Sequence, residues 1–595
     1  MKRLDRYHGM VVSKYFTSIT DFVAFQQVSE KFNNNLSMFH FNPFPLNLAT
    51  IKYFPNIETL NVWNDYEETF GNVIPVFYDI STLARQKENK QNSLTSNNQQ
   101  KIDFFKIVVW YPVNFRLANK HNKTYTNFEF KNVVYTSTDS LLCGYKNINI
   151  LNPKITSFED GCFTNSQMSR FEIPNNVTSI GVSCFSKCVN LKEIYLSENI
   201  NYLPNRCFST CQSLSIIKIP KRVTSLGECC FDSCVNLSSI SLHDNLLLIK
   251  MNCFMKCASL VEITIPSKIT KLYDSTFSNC CKLINVTFKG NTIKLFGNCC
   301  FENCENLVDF NFPDSLIHLG DSCFSGCTLL TNASIPTNLI SIGKYCFFHC
   351  FAIQKLVIPK SVKSIGESAF NFCKKLDLLQ IESGVETLSK NCFGGCLSLT
   401  SVKLPEGLKE IGCNCFQGCS FLEEIDIPQS VTKIGEQCFA NCFKLVEITF
   451  PQSVQIIENA CFFNCKLLSK FDIPEGVKSV GTNVFCGCEN ITEIEIPKGV
   501  TSLGNYCFYN CNNLLSVTLH EGLLSIGEMC FKNCDKLVTI VLPKSVTARG
   551  NMCGKPPKQC RVSRKTLSWY FWSIKIGKYR DHVRNIKKSS FQFFS

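Results

Sequence analysis

The stretch Val431-Thr432-Lys433-Ile434-Gly435-Glu436-Gln437-Cys438-Phe439-Ala440-Asn441-Cys442-Phe443-Lys444-Leu445-Val446-Glu447-Ile448-Thr449-Phe450-Pro451 decides the fold, because it is one copy of a unit that returns along most of the chain. Phenylalanines equivalent to Phe439 stand at seventeen places from Phe163 to Phe531, 23 residues apart except for one gap of 22 and one of 24. A fixed period of this size is the signature of stacked repeats. The unit reads Val-x-x-Ile-Gly-x-x-Cys-Phe-x-x-Cys-x-x-Leu-x-x-Ile-x-Ile-Pro.

Within the unit, Leu445-x-x-Ile448-x-Phe450 predicts a short strand closed by Pro451. Phe439, Cys442 and Leu445 fall at i, i+3 and i+6, which predicts one or two helical turns. A unit this small cannot bury its own apolar face, so neighbours must stack into a solenoid of about 17 coils, with parallel strands about 4.8 Å apart. The expected interior ladder is Cys438, Phe439, Cys442, Leu445 and Ile448 with their equivalents.

The period also accounts for the cysteines. Of 38, sixteen stand three residues after a repeat phenylalanine, from Cys188 to Cys534, and fourteen immediately before one, as in Cys184, Cys346 and Cys507. At the second position Thr276, Ala369 and Val484 substitute, which suits a tight buried slot better than a metal ligand. No metal or cofactor is expected.

These residues carry a family resemblance. Leu445-x-x-Ile448-x-Phe450 resembles the strand of leucine-rich repeats, and Ile434-Gly435-x-x-Cys438-Phe439-x-x-Cys442 resembles their BspA-like subclass, over residues 146–547. The resemblance implies a leucine-rich-repeat solenoid and a role as a surface-associated adhesin or protein-binding scaffold. Some protozoan members end in a prenylation box; here Gln592-Phe593-Phe594-Ser595 has no cysteine to modify.

The flanks are organised differently. Residues 1–83 lack the 23-residue period and read as a helical N-terminal cap. Thr20 is a candidate N-cap for a helix carrying Phe22, Val23, Phe25, Val28 and Phe32, after a shorter apolar segment with Val11, Val12, Tyr15 and Phe16. The series Val12, Tyr15-Phe16, Asp21-Phe22, Val28-Ser29 and Phe32 is similar to an F-box, a motif that docks a ubiquitin-ligase adaptor, though without its usual Leu-Pro opening. That resemblance implies an intracellular adaptor whose repeats choose the substrate, and it stands as the alternative to the scaffold. Ile57-x-x-Leu60-x-Val62 already echoes the repeat strand, which favours capping. Residues 84–101 are polar and read as a flexible loop. Residues 102–145 read as an α/β connection, with a strand around Ile107-Val108-Val109-Trp110, and the first degenerate coil is expected near Ile148.

The formal net charge of +13 is concentrated at the far end. From Arg549 onward twelve Lys or Arg face one acid, Asp581, a net of +11 that leaves +2 on all the rest. Residues 548–595 therefore read as a basic aromatic tail, with Arg561, Arg564, Lys565, Lys575, Lys578 and Arg580 around Trp569-Tyr570-Phe571-Trp572. Such a segment reads as a solvated tail or a terminal cap, or as one suited to an anionic membrane surface; nucleic acid is the weaker reading. Met1-Lys2-Arg3-Leu4-Asp5-Arg6-Tyr7-His8 leads into no apolar leader, and no stretch approaches the ~20 apolar residues of a membrane helix. A reducing cytoplasmic compartment is the default expectation, with a peripheral-membrane or cell-surface location left open.

No catalytic residues are expected. The eight histidines are scattered, and His349 beside Cys350 is a neighbour of a ladder position rather than part of a nucleophile–base motif. Function is expected instead on outward strand positions, which vary freely: Tyr195, Lys218, Gln380, Lys403, Asp426, Asp472, Glu495. Late in the series they turn acidic, and Asp426, Asp472 and Glu495 with Glu424, Glu447 and Glu493 predict a stripe suited to a basic protein segment or to the basic tail. No small-molecule substrate is expected.

Overall fold

The computed structural model describes residues 4–75, 101–144, 154–382 and 384–553, together with the backbone of residues 561–562. The repeats stack as a parallel β-solenoid of about 19 turns. Most coils contribute not one strand but two, although at Asp309, Asn332 and Lys470 the longer strand is reduced to a single bridge. The expected strand is present, as in Glu447–Thr449, and the preceding Val-x-x-Ile segment supplies a second, two-residue strand such as Lys433–Ile434. Each kind pairs in parallel with its counterpart in neighbouring coils: Ile425 lies opposite Ile448, and Ile411 opposite Ile434.

The segment around the phenylalanine is a chain of tight turns, which corrects the expected helical turn. Gln437 and Asn441 have φ of 55° and 64°, and the same two positions are left-handed in coil after coil. Two left-handed residues within five interrupt any α-helix. The Ala440 N–H reaches the Gln437 carbonyl at 3.1 Å, and the Cys442 N–H reaches the Phe439 carbonyl at 3.2 Å. The N–H groups of Gln437, Phe439 and Asn441 instead donate to Asn459, Cys461 and Phe463 of the next coil, at 2.9, 2.9 and 2.7 Å. The turn side of the solenoid is thus a hydrogen-bonded ladder of its own.

The interior follows from these ladders. Consecutive repeat phenylalanines are stacked, their ring centroids 5.1–5.7 Å apart from Phe163 to Phe531. Cys438, Phe439, Cys442 and Leu445 are fully buried and Ile448 nearly so. Gly435 is required by close approach, because a Cβ there would run into the backbone of Gly412 and Cys413.

The two cysteine positions do different things. The thiol three residues after the phenylalanine donates to the carbonyl of the preceding coil's phenylalanine, at 3.1–3.4 Å, in all sixteen cases. Past Cys162, whose thiol donates to the Tyr135 carbonyl at 3.2 Å, the cysteine immediately before the phenylalanine fills space, and its role in the ladder is carried by its backbone carbonyl, as Cys461 shows in accepting from the Phe439 N–H. That difference explains why Thr, Ala and Val replace the second kind and nothing replaces the first between Cys188 and Cys534.

The N-terminal flank joins the same ladder. Helices α1 (Arg6–Ser13) and α2 (Ile19–Val28) precede strand β1 (Thr59–Val62), which pairs with β2 (Lys106–Asn114). Helix α3 (Phe115–Thr124) leads to β3 (Phe128–Tyr135) and α4 (Ser137–Cys143). β3 pairs with Ser157–Phe158, and that with Ser179–Ile180, so one sheet runs from the flank into the repeats. The N-cap of α2 is Ser18, two residues before the expected Thr20: Ser18 and Asp21 form a capping box, each side chain accepting from the other's backbone N–H. Phe22 packs against Phe39, Phe44 and Phe54.

At the other end the ladder passes residue 547. Ser525–Ile526 pairs with Ala548–Arg549, and Thr539–Ile540 with Arg561–Val562. Arg564, Lys565, Lys575, Lys578 and Arg580, the Trp569–Trp572 cluster, the loop at 84–100 and Ile148 lie outside the described residues. Among the described residues no helix is long and apolar enough to cross a membrane.

Candidate partner-binding face

Strand alternation builds this face. In Glu424–Asp426, Glu447–Thr449 and Glu493–Glu495 the central isoleucine is buried and both flanking residues are exposed. Stacking the coils sets the outward residues in two rows. Glu424 stands beside Glu447, Glu447 beside Lys470, and Glu493 beside Ser516. Asp426 stands beside Thr449, Asp472 follows in the next coil, and Glu495 stands beside Thr518. The six acids named from the sequence are all exposed on one face.

Several acids of the stripe are engaged by neighbours that a single unit does not reveal. Lys470 Nζ lies 3.3 Å from Glu447 Oε2, and His520 Nε2 lies 2.8 Å from Glu495 Oε1. The Thr449 hydroxyl donates to Asp426 Oδ1 at 3.1 Å. Glu424, Asp472 and Glu493 have no ion-pair partner among the described residues, and the exposed Glu423 adds a further carboxylate at the edge. The visible signal for the missed pairs is the lysine at the Glu447 position one coil on, and the histidine in the proline position of the coil after Glu495.

Closer to the N-terminus the same face holds a cavity of about 380 Å³, lined by Tyr195, Ile216, Lys218, Glu198 and Pro220 among others. Arg170 lies over the Tyr195 ring, 5.0 Å from its centroid, and pairs with Glu193 at 3.7 Å. Ile216, an exposed aliphatic side chain on an outward position, is the mark this cavity leaves in the sequence.

The Cys350 thiol is absorbed by the core, and the half-buried His349 and His243 are held by local contacts. The Cys350 thiol donates to the Phe324 carbonyl at 3.1 Å, and burial pushes it well above the ordinary thiol range. His349 stacks on Phe348, its pKa lowered by burial and by Lys374. His243 contacts the Pro220 carbonyl oxygen at 2.7 Å. Among the described residues no three His, Cys, Asp or Glu side chains converge as a metal site.

Comparison with protein families identifies the repeat. The family described as the BspA type leucine rich repeat region matches in six copies, over residues 121–238, 226–353, 340–469 and 458–553. Among solved structures, a leucine-rich repeat protein from Bacteroides ovatus is 24% identical, with 66% of this chain and 83% of that one covered at a TM-score of 0.38. A leucine rich cell surface protein from Faecalibacterium prausnitzii is 22% identical, with 61% and 83% covered and a TM-score of 0.28. A leucine-rich repeat protein from Eubacterium ventriosum is 23% identical, with 60% and 86% covered and a TM-score of 0.32. No curated protein matches. With the family matched over most of its length and both ladders in place, the chain belongs to the BspA-type leucine-rich repeat proteins.

Proposed function

We propose that the protein is a scaffold that binds other proteins through the outward rows of its longer strands, and that the acidic part of that face takes a basic segment. One observation carries the reading: an almost uniform buried interior supports an outward face whose chemistry changes from coil to coil. Carboxylates held at the spacing of neighbouring strands match an extended run of Lys or Arg. The partner is another protein, as an adhesin at a cell surface would have, or the chain's own basic tail. The role is binding, without cofactor or small-molecule substrate. Charge reversal at Asp426, Asp472 and Glu495 should weaken capture of basic partners by the full chain and flatten its salt dependence; unchanged affinity across a salt series would remove the acidic face from the proposal. Staining intact and permeabilised cells tests the surface location.

A second reading has its own support. Tyr15 and Val28 of the α1–α2 region are 83% and 73% exposed, and Val12 and Val23 are also exposed. An apolar face of this kind on a helical pair is what the F-box resemblance would use to dock a ligase adaptor. A pull-down with the full chain that recovers no ligase subunits eliminates this reading; recovery that is lost on deleting residues 1–60 supports it.

A further inference from the structure

The turn side of the solenoid carries a second patterned surface. In seven consecutive coils, from Phe324 to Phe462, the five residues after the repeat phenylalanine include no Asp or Glu. They include Phe348, Phe351, Phe372, Phe421, Phe443 and Phe463, with Lys374, Lys375, Lys444 and Lys466.

Backbone hydrogen bonds hold these positions edge to edge. The Lys375 N–H donates to Phe351, Ser398 to Lys374, Phe421 to Leu397 and Lys444 to Ser420, at 3.1–3.2 Å. Phe421, Phe443 and Leu467 are 47%, 40% and 40% exposed. Lys374 lies 4.5 Å from the Phe351 ring centroid and Lys444 4.2 Å from that of Phe421, so the cations lie beside the rings rather than beside acids. Among the described residues Lys374, Lys375 and Lys444 have no carboxylate partner; Lys466 pairs with Glu489 where the band ends.

We infer that this ridge is a docking surface for an anionic lipid bilayer, with the exposed Phe421, Phe443 and Leu467 entering the interfacial region and the three lysines meeting the headgroups. Exposed aromatics and aliphatics beside lysine are the combination that partitions to such an interface. A single-stranded nucleic acid would also use aromatic faces, but it calls for a groove denser in cations, and an aliphatic Leu467 offers it nothing.

The test is vesicle co-sedimentation of the full chain, using phosphatidylcholine with and without phosphatidylserine. Binding to the phosphatidylserine vesicles is expected. It should weaken by roughly tenfold or more for Lys374→Glu/Lys375→Glu/Lys444→Glu, and also for Phe421→Ser/Phe443→Ser. A strand-face control of the same kind, Lys355→Glu/Lys403→Glu, should bind like the parent, with the basic tail intact in every variant. Absence of binding, equal loss in the control, or binding unchanged in both ridge variants would overturn the proposal. So would a preference for a single-stranded oligonucleotide abolished by the same substitutions.

Discussion

The Cys442 thiol lies 3.3 Å from the carbonyl oxygen of Phe416, one coil back, and that carbonyl also accepts the Cys419 N–H at 3.2 Å. The thiol therefore supplies the second donor to a buried backbone oxygen. Cys442→Ala should cost about 1–2 kcal/mol, from the lost donor and the space it leaves. Cys438→Val should be close to neutral, because Val484 already occupies that position. Urea unfolding of the two variants checks the order.

The stacked rings set the longest-range term. Phe439→Ala should cost about 3–5 kcal/mol, since both neighbouring rings lose their partner. In a solenoid each coil contacts only its neighbours, so a gap in the middle should split the thermal transition into two. Phe531→Ala, with one stacked neighbour among the repeat phenylalanines, should shift it without splitting. Calorimetry distinguishes the outcomes.

Burial also dictates the behaviour of the thiols. Cys442, Cys419 and most of their equivalents are pushed well above the ordinary value of 9.0 by burial. The unfolded chain thus loses protons that the folded chain keeps. That contribution to stability is fully present below about pH 9 and is lost as pH rises above it, steeply because the effect recurs in every coil. Among the described residues, native thiol titration should find Cys143 first and the half-buried Cys281, Cys299, Cys413 and Cys553 more slowly, with the buried ladder appearing only on unfolding.

Much of the fold was legible because the interior repeats. Phe439, Cys442 and Leu445 are where the period places them, and Glu447–Thr449 is the expected strand. The second strand escaped notice because two residues such as Lys433–Ile434 are too short to show an alternation. Helical spacing was misleading at Phe439, Cys442 and Leu445, since successive i→i+3 turns give the same interval. The corrective sign was Asn at 441, 464, 510 and 533, a residue that tolerates the left-handed region. On the candidate face the acids were legible one by one, but Lys470 and His520 reach them only across coils.

Those cross-coil pairs make their own expectation. Lys470→Ala should free Glu447 and raise affinity for a Lys-rich probe peptide, by a few-fold at low salt and by little at high salt, as exposed pairs contribute about 0.2–1 kcal/mol. Fluorescence titration of the peptide against the full chain reads this directly.

Cross-linking of the full chain to whichever protein it captures, followed by mapping of the linked residues, tests binding through the outward strand rows. Links from the partner's lysines should concentrate on Glu423, Glu424, Asp426, Asp472 and Glu493. Links confined to other faces of the solenoid would contradict binding through its outward strand rows.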